Sequence, residues 1–228
     1  MQDYFGSLKR LWLISQLMTT KGAWLFTNFL KGHTREVDRV DHEETTLIPF
    51  VIQHLSNLVQ EPSAIIDNIY LGSSFNSCNK ETLDQYGIRR ILNVTAEIPC
   101  SYPDDYTYKQ IHVRDCRDSF LESYVDEMYQ FILTNPDQPI LIHCYMGSSR
   151  SASIIIYYIM RRYQKSYDWA HAYVKERRSS INLNINFAQE LQDMEKYQTI
   201  PRGVPTPHAG GLGGLDVEEL GDLDATIS

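Results

Sequence analysis

Apolar positions recur with two different periods along this chain, and the switches between them divide residues 63–198 into short strands and longer helices. Ala64-Ile65-Ile66 and Ile69-Tyr70-Leu71 flank Asp67-Asn68, which predicts two short strands joined by a tight turn, a hairpin opening the domain. Lys80 to Tyr86 reads as a helix that stops at Gly87, since glycine tolerates the positive φ of a helix C-terminus. The apolar run Ile88 to Val94 then predicts a buried strand, and Tyr108 to Val113 a further one. Ser119-Phe120-Leu121-Glu122 has the form of a capping box, in which serine and glutamate satisfy orphan amides from both sides. Behind it Leu121, Tyr124, Val125, Met128, Phe131 and Ile132 repeat at helical spacing. Ile140-Leu141-Ile142 follows as a buried central strand, and Ser151 to Arg162 as a helix despite its β-branched Ile154-Ile155-Ile156. Helices over Tyr167 to Arg178 and Phe187 to Tyr197, with Asn186 and Gln189 as a second capping pair, complete the pattern. It predicts an α/β fold, a central and mostly parallel sheet flanked by helices.

The ends have another texture. Residues 1–62 form an N-terminal extension expected to be helical, and residues 63–200 a single core domain. Pro201 to Ser228 is a tail rich in Pro and Gly that turns acidic, with the composition of a disordered segment. Within residues 1–35, Lys9, Arg10, Lys21, Lys31 and Arg35 alternate with Leu11, Trp12, Ile14, Leu17, Trp24 and Phe26. Such a pattern suits helices that pack on the core, self-associate or dock substrate, or lie on a membrane surface. The same basic residues interrupt the one region apolar enough to approach the ~20 residues of a membrane span. Leu212, Leu215, Val217, Leu220 and Leu223 in the tail are spaced either as a partner-binding motif or as a solvated linker.

A formal net charge of -8 argues against binding nucleic acid through its phosphates, which needs a basic surface. Four cysteines, Cys78, Cys100, Cys116 and Cys144, include no CxxC pair, and no secretory leader is expected. Neither a zinc site nor a disulfide framework is expected, and the compartment should be reducing, cytoplasmic or nuclear.

One segment carries chemistry. His143-Cys144-Tyr145-Met146-Gly147-Ser148-Ser149-Arg150-Ser151 follows an apolar strand and opens a helix. Backbone amides of residues 145–150 in such a loop can converge on an anion, and the same field favours thiolate over thiol at Cys144. Arg150 can grip two phosphate oxygens with its planar fork. Gly147 permits a backbone conformation closed to bulkier residues, and Ser151 can donate to a departing sulfur. His143 is placed to orient the loop from behind. A thiolate attack on phosphorus also needs a proton donor for the leaving oxygen. Asp115, 29 residues before the cysteine and just past a strand, is the candidate, with Asp118 as its rival. Cys116 beside it could trap an oxidised Cys144 as a disulfide.

The His143-to-Ser151 run resembles the dual-specificity phosphatase family, and so do Ile65 to Gly72, Ile91-Leu92-Asn93-Val94-Thr95 and Ser151 to Met160. The resemblance covers about 135 residues, from Ser63 to Gln198, and is most specific in the nine-residue loop. It implies hydrolysis of phosphotyrosine and phosphoserine or phosphothreonine in proteins, a thiol-phosphate intermediate, and no metal or cofactor. Leu183 and Asn186 depart from the family's usual Pro and Gly before the last helix, while Asn184 and Phe187 match. Two other functions compete: hydrolysis of phosphoinositides or RNA 5′ ends, and phosphopeptide binding without catalysis. The loop offers no extra basic residue for a more highly charged substrate, and the chain keeps Cys144, Arg150 and Asp115.

Overall fold

The computed structural model describes residues 56–116 and 119–197. The N-terminal 55 residues, the tail from residue 198, Arg117 and Asp118 lie outside the described residues, and with them the readings made above for residues 1–35 and for the tail.

Among the described residues, five strands form one sheet: β1 (Ser63–Ile66), β2 (Ile69–Gly72), β3 (Arg90–Asn93), β4 (Thr107–Gln110) and β5 (Ile140–His143). Their order is β1-β2-β5-β3-β4, antiparallel between β1 and β2 and parallel elsewhere. The helices are α1 (Ser74–Ser77), α2 (Lys80–Gln85), α3 (Glu122–Leu133), α4 (Arg150–Tyr163), α5 (Tyr167–Arg177) and α6 (Ile185–Lys196). Among the described residues, no helix is long and apolar enough to cross a membrane.

Register explains the strand composition. Leu71, Ile142 and Leu92 lie side by side and share the core with α3 to α6. Leu141 and Ile91 point to the opposite face, where they meet Leu83 of α2, Ile88 and Tyr106. With both faces covered, β5 is buried along its whole length and reads as a continuous apolar run. Helix α4 is buried from Arg150 to Met160 and packs against β2, β5, α3, α5 and α6. Burial on every side lets its three isoleucines outweigh their modest helix propensity. It stops at Gln164, which takes a left-handed conformation (φ 54°). The hairpin turn is tied to this helix as well, because Asp67 accepts hydrogen bonds from the hydroxyls of Tyr158 (2.8 Å) and Tyr163 (2.7 Å).

Several boundaries differ from the sequence pattern, each for a tertiary reason. Ser119 does not cap α3. Its hydroxyl pairs with the Cys116 thiol (3.0 Å), while the Leu121 amide (2.8 Å) and the Glu122 amide (2.6 Å) donate to the carboxylate of Glu190 on α6. A full negative charge from a neighbouring helix thus replaces the local box at the positive end of α3. At the other end of α3, the buried Arg90 donates to the carbonyls of Phe131, Ile132 (3.2 Å) and Asn135 (3.0 Å). Helix α6 begins two residues early, capped by Asn184 instead of Asn186, and Gln189 bonds Asp193 (3.2 Å). The paired part of β4 ends at Gln110. Ile111 and Val113 are apolar because they are buried beyond the ladder. Helix α1 escapes the pattern altogether: it is one turn, held by a capping box between Ser73 and Asn76.

If Glu190 is the cap of α3, Glu190→Ala should lower unfolding stability by about 1–2 kcal/mol, whereas Ser119→Ala should cost under about 0.5 kcal/mol. Urea denaturation of the two variants checks this, and equal effects would contradict the assignment.

Candidate active site

Strand β5 delivers His143 and Cys144 to the sheet's C-terminal edge, and the chain curls through residues 145–149 into α4. Every carbonyl along that curl is tied off on its outer side. The Ser74 amide donates to Tyr145 (3.0 Å), Asn182 to Ser148 (2.9 Å) and Ser153 to Ser149 (2.9 Å). The carbonyls of Met146 (3.5 Å) and Gly147 (3.0 Å) are taken by the guanidinium of Arg178. A peptide's N–H points opposite its C=O, so the amides of residues 146–149 face the other way, inward. None of them finds an acceptor among the described residues. Convergent amides at the start of a helix make an anion site.

Cys144 lies at the base of this site, 1% exposed, and its Sγ accepts a hydrogen bond from Ser151 Oγ at 3.1 Å. Gly147 has φ 68°, and a Cβ there would come within 2.5 Å of the Gly72 carbonyl oxygen and 3.0 Å of Arg178 Nη2. Only glycine fits a loop pressed this closely on the end of β2. His143 is buried, and its Nδ1–H donates to the Cys144 carbonyl (3.3 Å). Burial pushes its pKa down to about 4, with the Cys144 carbonyl opposing and Arg150 reinforcing the shift. The ring is therefore neutral at pH 7.

Arg150 closes the loop with a side chain 5% exposed. Its Nη1 bonds the Val113 carbonyl (3.1 Å) and Glu97 Oε1 (2.7 Å), and its Nε lies 3.6 Å from Asp115 Oδ2. Burial works against the charge, but Cys144, Glu97 and Asp115 outweigh it and hold the Arg150 pKa above its ordinary value. The Nε itself has no hydrogen-bond acceptor among the described residues. Asp115 is positioned from two sides: Ser149 Oγ donates to its Oδ1 (3.2 Å), and so does Asn184 Nδ2 (3.2 Å). The Asn184 amide in turn donates to Ser149 Oγ (3.0 Å). Among the described residues, no cluster of His, Cys, Asp and Glu is placed to hold a metal ion.

The structure thus brings Cys144, Arg150, Ser151 and Asp115 to one place, with Tyr145 to Ser149 forming the loop and His143 behind it. Residues 69–197 match the family model "Dual specificity phosphatase, catalytic domain". This chain belongs to the dual-specificity phosphatase family.

Among related proteins, Protein phosphatase Slingshot of Drosophila melanogaster is 34% identical over 169 residues, which are 73% of this chain and 16% of that one. Dual specificity protein phosphatase 1 of Arabidopsis thaliana is 37% identical over 141 residues, 61% of this chain and 71% of the relative. Protein phosphatase Slingshot homolog 2 of Homo sapiens is 40% identical over 144 residues, 62% of this chain and 10% of the relative. The match therefore spans a small part of the Slingshot proteins and most of the Arabidopsis one. The human tyrosine phosphatase-like serine/threonine/tyrosine-interacting protein superposes with a TM-score of 0.56 at 26% identity, covering 60% of this chain and 97% of that one. A mouse putative dual specificity phosphatase shares the fold with a TM-score of 0.57 at 24% identity, covering 63% and 94%.

Two residues that contact Arg150 or the loop escaped the sequence reading. Glu97 lies two residues beyond the recognised Ile91-to-Thr95 segment and has no local signal. Arg178 ends a helix with charged neighbours, Lys175, Glu176 and Arg177, and so reads as surface. Only its burial at 0% exposure singles it out.

The His143 shift has a consequence for stability. A histidine whose folded pKa lies below its unfolded value costs nothing above about pH 6.5 and destabilises progressively as pH falls from 6.5 towards 4, because the unfolded chain takes the proton first. Between pH 7 and 5 the loss is about 2 kcal/mol. Urea titrations at the two pH values should show this slope in the native protein and a shallower one in His143→Gln.

Proposed function

We propose that this chain hydrolyses phosphotyrosine, phosphoserine and phosphothreonine in protein substrates through a cysteinyl-phosphate intermediate. The observation that carries the reading is the Cys144 sulfur at the base of a loop whose amides at 146–149 face inward without acceptors, 3.1 Å from Ser151 Oγ.

The proposed steps are these. Three equatorial phosphoryl oxygens are held by the loop amides and by the fork of Arg150, which exchanges its contacts with Glu97 and Asp115 for the substrate. The Cys144 thiolate attacks phosphorus in line with the bond to the substrate oxygen. As that bond breaks, Asp115 gives its proton to the leaving phenolate or alkoxide. Water then attacks the phosphocysteine, Asp115 takes back a proton, and the S–P bond breaks. The Ser151 hydroxyl stabilises the sulfur as it regains its charge. With Asp115 as the proton donor, both aryl and alkyl phosphates serve as substrates. The reading extends to the whole chain as a catalytic domain over residues 63–200 between an N-terminal extension and an acidic tail. Its cysteine chemistry fits a reducing compartment, cytoplasmic or nuclear.

Turnover of phosphotyrosine and phosphoserine peptides tests the assignment. Cys144→Ser should lose more than about 1,000-fold in kcat, and Arg150→Lys about 100-fold or more. Asp115→Asn should lose about 100-fold or more on the phosphoserine peptide, whose alkoxide needs the proton, and much less on an activated aryl phosphate. An inert wild-type protein would overturn the phosphatase reading, and an Asp115→Asn variant with full phosphoserine activity would transfer the acid role to Asp118.

A further inference from the structure

Arg178 lies beneath the phosphate loop, on the side away from the anion site, and is among the largest fully buried side chains. No carboxylate among the described residues pairs with it. Its donors are spent on backbone oxygens of two separate segments. Nε reaches Gly147 O (3.0 Å) and Nη2 reaches Met146 O (3.5 Å), both in the loop. Nη1 reaches Glu61 O (3.1 Å) and Ser63 Oγ (3.3 Å), and Nη2 also reaches Asn57 O (3.5 Å), all in the chain just ahead of β1 and at its start.

That upstream segment is itself anchored. Residues 56–59 form a helical turn whose Leu58 and Val59 are buried against Ile98 and against Tyr145 of the loop. The Leu58 carbonyl accepts from Ser73 Oγ (2.6 Å), and the Gln60 carbonyl from Asn76 Nδ2 (3.1 Å). Segment 57–61 therefore forms the floor on which Arg178 rests, and Arg178 in turn holds the loop.

We infer that Arg178 is a positioning residue that sets the peptide planes at 146–147 and 147–148 by binding their carbonyls, with segment 57–61 as its support. The inference rests on residues 144–150 being the phosphate site. Turning either carbonyl away from Arg178 would turn the following amide, of Gly147 or Ser148, out of that site. The planar fork is needed because Gly147 O and Glu61 O lie on different nitrogens of one guanidinium, and a lysine ammonium presents its donors from a single atom. Burial pushes the Arg178 pKa down to about 10, opposed by Cys144, so the group stays cationic at neutral pH beneath the sulfur.

The test uses the full chain with Arg178→Gln and Arg178→Lys, an aryl phosphate as substrate and inorganic phosphate as competitive ligand. Misdirected amides weaken ground-state and transition-state binding together. KM and the phosphate inhibition constant should therefore both rise, about 100-fold in Arg178→Gln and at least about tenfold in Arg178→Lys, while each protein still melts cooperatively. If Arg178→Gln does not fold, the lysine variant, which keeps the charge, decides the matter. A fall in kcat with KM and the inhibition constant unchanged, or no change at all, overturns the inference by reducing Arg178 to a structural residue. A wild-type protein that neither hydrolyses the aryl phosphate nor binds inorganic phosphate, the latter read directly by calorimetry, overturns the phosphate-site reading beneath it.

Discussion

Everything at this site depends on the direction of a few peptide planes. A peptide cannot turn its N–H inward without turning a C=O outward, and a buried carbonyl left without a donor costs about as much as a lost hydrogen bond. A ring of inward amides over residues 146–149 therefore requires an outer ring of donors. Ser74 from α1, Arg178 from the end of α5 and Asn182 from the following loop supply it. These elements are far apart in sequence, and the parallel sheet order that places β5 between β2 and β3 brings them together behind one loop.

This geometry separates what could be read from the chain from what could not. The strand-loop-helix run from Ile140 to Arg162, the hairpin around Asp67 and the four candidates Cys144, Arg150, Ser151 and Asp115 are legible because their signals are local: a period, a turn, a spacing. Helix caps proved less so. Ser119 and Glu122 have the right spacing for a reciprocal cap, yet Glu190, some 70 residues away, takes the amides of Leu121 and Glu122. Asn184 similarly displaces Asn186 because its own amide is already held by Ser149. Arg178 and Glu97 were invisible for the same reason. Each owes its position to partners that only the folded chain supplies.

The electrostatics are local too. The chain as a whole is acidic, yet the loop that follows Cys144 rests on two buried guanidinium groups and a histidine that burial keeps neutral. The two arginines are satisfied differently. Arg150 meets two carboxylates, Glu97 and Asp115. Arg178 meets carbonyls and a serine hydroxyl. Burial therefore lowers the pKa of the second arginine, while the charges facing the first hold its pKa up.

Ser149 connects these parts more tightly than its small side chain suggests. Its hydroxyl donates to Asp115 and accepts from the amide of Asn184, the residue that caps α6 and also bonds Asp115. The three residues come from three distant stretches of the chain but form one closed triangle of hydrogen bonds. In energetic terms the three corners are coupled, so the cost of changing two of them together should differ from the sum of the separate costs.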